Sequence, residues 1–86
     1  MGIKWENEAK ENFDKIINNL PQFHRTIAQT LVKESAEKIA QERNSETVEV
    51  KDVVVAFFTE VPPAFKDMMK RLFGQQGIEY LKYVGE

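Results

Sequence analysis

Few side chains in this 86-residue sequence can do chemistry. There is one histidine, His24, no cysteine, and fourteen carboxylates. Without cysteine, a disulfide framework, a thiolate zinc site and cysteine-ligated iron–sulfur clusters are all excluded. One histidine excludes a histidine-rich metal site and leaves a Ser-His-Asp triad without support. The carboxylates fall on polar stretches among lysines, and no pair sits in an apolar setting of the kind that separates a general acid from a base. None of the phosphate-loop, dinucleotide, zinc-protease or nucleophile-elbow spacings is present. Gly74-Gln75-Gln76-Gly77 reads as a turn and not as a phosphate cradle. No catalytic, metal or cofactor residue is therefore assigned. His24 and Arg25 remain as polar candidates beside Phe23. His24 reads as an exposed histidine, or as a ligand or proton relay toward a tetrapyrrole or substrate that a partner supplies. Arg25 is a cation in the first turn of a helix, against the helix dipole, which hints at a partner carboxylate.

Composition bounds what must position these residues. Charged residues make up 30% and hydrophobic ones 42%, and 12 basic against 14 acidic side chains leave a net charge of −2. This suits one small globular domain over 1–86, and the acidic balance argues against nucleic-acid binding. The longest apolar run, Val53 to Phe58, is too short to span a bilayer, and the first residues carry no apolar signal segment. A cytoplasmic location is expected, with no membrane contact.

The pattern predicts an all-α fold. Trp5, Ala9, Phe13, Ile16, Ile17 and Leu20 follow helical spacing and predict a first helix over about 5–20. Pro21 ends it and opens a second over about 21–43. Phe23, Ile27, Leu31, Val32, Ser35, Ala36, Ile39 and Ala40 form the stripe expected to be buried on that helix. The two make an antiparallel helical hairpin. Asn44 suits a left-handed cap. Thr47 to Val50 alternates as a short extended segment, whose partner strand is expected in a second chain. Val53 to Val61 predicts a central helix over about 51–60. Pro62-Pro63 stops it, a fourth helix follows to about Phe73, and a short one ends the chain. Val53–Phe58 and Met68–Phe73 are much apolar surface for so small a chain, so part is expected in a dimer or against a larger protein. Truncating Phe13 or Leu31 is expected to cost about 2–5 kcal/mol each.

A family resemblance comes from Trp5-x-x-x-Ala9, Leu20-Pro21-x-Phe23-x-Arg25, Glu37-x-x-Ala40-x-Glu42-Arg43, and Val48 with Asp52-Val53. This order resembles the small domain at the C-terminus of the B subunit of light-independent protochlorophyllide reductase, a domain also found as short stand-alone bacterial proteins. The resemblance covers about residues 5–57. Both arms of the hairpin are about four residues longer than the family pattern, one turn each, which preserves their pairing. Asn44 stands at the usual glycine, and Glu49 or Val50 at the usual threonine cap. The resemblance implies an accessory or docking domain without chemistry of its own, with a nitrogenase-like or tetrapyrrole-related partner. It marks Trp5, Pro21, Phe23, Arg25, Glu37 and Ala40 as motif positions that staple the hairpin and orient its turn. A competing reading is the second half of a histone fold, a dimeric module for binding protein or nucleic acid. Long helix, short extended loop and short helix occur in that order, and histone-fold loops pair across a dimer.

Overall fold

The computed structural model describes residues 3–84. In chain order the elements are β1 (Lys4–Trp5), α1 (Asn7–Asn18), α2 (Gln22–Glu42), β2 (Thr47–Val48), α3 (Val50–Glu60), a 3-10 turn (Pro63–Phe65), α4 (Lys66–Gln75) and α5 (Leu81–Val84). The fold is all-α apart from one two-stranded ribbon.

Helix α1 buries Ala9, Phe13, Ile16 and Ile17 on one face. It ends three residues before Pro21, because proline disfavours helical geometry in the residue preceding it. Pro21 adopts an extended conformation and accepts the first bonds of α2, from the backbone N–H groups of His24 (2.9 Å) and Arg25 (3.0 Å). Arg25 also reaches back across the corner. Its guanidinium donates to the carbonyls of Leu20 (3.1 Å) and Asn18 (3.3 Å), two groups left over at the end of α1. The cation lies unfavourably for its own helix and favourably for the preceding one.

The expected stripe on α2 is corrected by the structure. Val32, Ala36 and Ala40 are buried, but Phe23, Ile27 and Leu31 are 74%, 61% and 44% exposed. The apolar positions form two rows spaced by four residues. Neighbours such as Ile27 and Ala28, or Leu31 and Val32, differ by about 100° around the helix axis. Only one row can face α3. The row Ala28–Val32–Ala36–Ala40 has the small side chains that admit a neighbouring helix, and α2 packs chiefly on α3 along it. The bulkier row is left outside.

Where α2 ends, Arg43 and Asn44 turn the chain. Asn44 has φ 63°, and the N–H of Ser45 donates to Ala40 O at 2.9 Å, closing a left-handed helix cap. Helix α3 starts at Glu49, whose backbone N–H donates to Asp52 Oδ2 (2.9 Å). Asp52 is 1% exposed and also takes both arms of Arg43, Nε to Oδ1 at 2.9 Å and Nη2 to Oδ2 at 2.6 Å. This carboxylate was expected on a polar face. It is buried because it joins the end of α2 to the start of α3. The guanidinium pKa is raised by the hydrogen bond to Asp52 first, and further by Glu49 at 3.1 Å.

The expectation of a partner strand from a second chain is also corrected. Strand β2 pairs in parallel with β1 of the same chain, Lys4 opposite Thr47 and Trp5 opposite Val48. Most of the apolar run on α3, with Met69 and Phe73 of α4, is buried within the chain, while Val55 and Met68 stay part-exposed. Phe57 lies at the centre, 5.8 Å from Phe13 and 5.6 Å from Phe73 between ring centroids. Val53, Val54, Ala56, Phe58 and Met69 are buried around it. Gly74 lies in the last turn of α4, and Gly77 (φ 71°) supplies the left-handed residue that ends it.

Candidate protein-docking groove

The motif residues gather in two places. At the open end of the hairpin, Trp5 Nε1 donates to Glu37 Oε2 at 2.9 Å. Trp5 and Glu37 each stand sixteen residues from Pro21, so the bond closes two arms of equal length. Lys33 lies 3.5 Å from the same Glu37 oxygen, and the Trp5 ring meets Phe13 edge-on at 5.2 Å. Ala40 is fully buried in the core. At the closed end lie Pro21, Phe23, His24 and Arg25. Among the described residues, no hydrogen bond joins the two groups.

His24 is no isolated surface histidine. Its ring sits between two aromatics, 4.1 Å from Phe23 and 5.3 Å from Phe65 at an edge-on angle. It stands at the mouth of a groove between the first half of α2 and the segment from the end of α3 to α4. The groove floor includes Val32, Phe57 and Met69; its walls include Ile27, Leu31, Val61, Phe65 and Met68. Glu60 is the one carboxylate in its lining.

The volume of the groove limits its use. It is about 180 Å³, below the ~300–1,000 Å³ of ordinary small-molecule sites. A whole tetrapyrrole is larger than this space. An apolar cavity of about 150 Å³ accepts benzene, so the space matches one phenyl-sized or branched aliphatic side chain. Phe23, Ile27 and Leu31 extend the apolar surface along α2 beside it. That arrangement can bind a protein face by desolvation, and its lining offers no cluster of polar groups for chemistry. Among the described residues, no group of three or more His, Asp or Glu side chains could hold a metal ion. No described helix is long and apolar enough to cross a membrane.

The sequence pointed to His24 and Phe23, and to Met68 within an apolar stretch expected to be partly covered by a partner, but it placed Ile27 and Leu31 in the buried stripe. The signal was present as two four-spaced rows on α2, one of small residues and one of large. The small row is the natural seat for a packed helix, which leaves the large row for the surface. No protein-family model, curated protein or solved structure matches this chain.

Proposed function

We propose that this chain is a non-catalytic helical interaction module, an accessory domain that docks on a larger protein through the groove beside α2. One observation carries the reading: Ile27 and Leu31, which line an apolar groove, stand exposed in a row with Phe23, whose ring lies against His24 of the same groove. Each would be buried at a lower cost in energy elsewhere, so an exposed row next to a pit is the usual mark of a recognition face. The resemblance to the reductase B-subunit domain supports the same reading, with a nitrogenase-like or tetrapyrrole-related partner in the cytoplasm. Its motif residues at both ends of the hairpin are engaged in holding the scaffold, through Trp5 with Glu37 and Arg25 with the α1 carbonyls. Any tetrapyrrole contact would come through the partner, given the size of the groove. The histone-like dimer is the reading we set aside. Its strand would pair across copies, whereas β2 has its neighbour in β1.

Position-specific photo-crosslinking in the native cell tests the module. A photoreactive residue replacing Ile27 is expected to give one discrete protein adduct. The same residue replacing Lys10, on the outer face of α1, is expected to give none. No adduct from position 27, or equal adducts from both positions, would remove the docking reading.

A further inference from the structure

The interaction reading leaves the chemistry of the partner open, and the groove itself carries information about it. Past Leu31 and Glu60 the groove continues as a shallower trough between α2 and α3, and both residues line the two parts. The trough is lined by Leu31, Ile39 and Val55 together with Ser35 and Thr59, and by Glu34, Glu42 and Glu60, with Lys38 as its one cation. The continuous channel is thus apolar in its first half and mixed and acidic in its second. From His24 to Glu42 it follows about five turns of α2, or ~27 Å.

Three properties select an occupant. The 180 Å³ pit takes one large apolar side chain. The channel is straight because it follows a helix, so a second helix laid along it presents anchors at intervals of three and four residues. The three carboxylates against one lysine ask for positive charge above them. A second copy of this chain fits poorly. It carries a net charge of −2, and a parallel twofold pairing of α2 on α2 would bring the Glu34, Glu42 and Glu60 edges of both copies together, while an antiparallel one would lay the acidic half of each copy over the apolar half of the other without supplying a cation. The exposed row Phe23–Ile27–Leu31 offers on the order of 350 Å² of surface, scaled from ~200 Å² for a large side chain. A stable interface between globular partners needs ~800 Å² on each side. One helix needs less.

Resting on the interaction-module reading, we propose that this channel receives a basic amphipathic helix of another protein. Its apolar anchor fills the pit against Phe65 and Met68, and its lysine or arginine residues lie over Glu34, Glu42 and Glu60.

The test uses the full chain and three synthetic 18-residue helical peptides. One is amphipathic with leucine and phenylalanine on one face and lysine on the other. The second carries glutamate in place of lysine. The third is a scramble of the first with no apolar face. Binding is followed by the methyl NMR signals of Ile27, Leu31 and Met68 at low salt. The basic amphipathic peptide is expected to shift these signals with micromolar affinity, and the other two at least tenfold more weakly. The triple substitution Glu34→Gln, Glu42→Gln, Glu60→Gln leaves the core untouched and is expected to weaken binding about tenfold, from three exposed charge contacts. Equal binding of the scramble, shifts confined to other residues, or an unchanged affinity in the triple variant would overturn the proposal. Self-association of the chain through these methyl groups at millimolar concentration, detected by sedimentation, would overturn it in favour of a second copy. If the peptides fail while the Ile27 crosslink succeeds, the basic-helix inference falls and the interaction module stands. If both fail, both fall.

Discussion

Phe13 and Leu31 belong to apolar stripes of equal clarity in the sequence, and the structure assigns them very different energetic weight. Phe13 is 4% exposed, edge-on to Trp5 and tilted against Phe57. Truncating a buried phenylalanine costs about 3–5 kcal/mol, and its two aromatic neighbours place Phe13→Ala near the upper half of that range. Leu31 is 44% exposed and opens to the groove, so its loss leaves no closed cavity. Removing about three methylene-sized groups at ~0.8 kcal/mol each, a little over half buried, gives about 1.3 kcal/mol for Leu31→Ala. A domain of this size has roughly 4–13 kcal/mol of stability in all. Phe13→Ala should therefore unfold a large part of the population or lower Tm by about 15–40 °C, and Leu31→Ala should lower it by only about 5–10 °C. Urea titration followed by far-ultraviolet circular dichroism measures both. If the two variants differ by less than about 1 kcal/mol, α2 is rotated relative to this structure, and the exposed row and the groove built on it disappear together.

Two further outcomes concern the junction of α2 and α3. Asp52→Ala removes the acceptor of the Glu49 N–H and the partner of Arg43; the lost cap alone sets a cost of at least about 1–2 kcal/mol, well above that of removing an exposed carboxylate such as Glu46, measured by the same titration. The raised pKa of Arg43 is a cation stabilised in the folded state, so its contribution is complete below the unfolded value and is lost only as pH rises through the folded one. Both lie above ordinary buffers, so the stability difference between the parent and Arg43→Gln should stay constant from pH 7 to 10; a difference that shrinks over this range would contradict the pairing.

The helices were legible in the sequence because each has a strong local cause. Pro21 and Pro62-Pro63 punctuate, Asn44 takes φ 63°, and the run Val53 to Phe58 is too apolar for any place but the centre. The boundaries moved by one or two residues at most positions. Three features were not legible, and all are tertiary. Which of two rows on α2 faces inward depends on what packs there, and small side chains decided it against large ones. Asp52 reads as one acid among many until Arg43, nine residues earlier, is brought to it by the turn. The partner of Thr47–Val48 is two residues long and lies more than forty positions upstream, too short to carry a strand pattern of its own. Of the candidate site, His24 and Phe23 were visible as residue types, but their neighbours Phe65 and Met68 reach them only through the fold.

The ribbon between Lys4–Trp5 and Thr47–Val48 bears on the order in which the molecule assembles. Joining segments 43 positions apart carries a loop-closure cost of about 3 kcal/mol plus a constant. Its few main-chain bonds, including Glu6 N–H to Val48 O at 3.0 Å, do not offset that in an open chain. Once α1, α2 and α3 are docked, the two ends are already neighbours and the cost has been met by side-chain burial. The ribbon is then a late clasp whose amides should exchange with solvent sooner than those of α3, and whose opening would bare the edge of Thr47–Val48 to another chain.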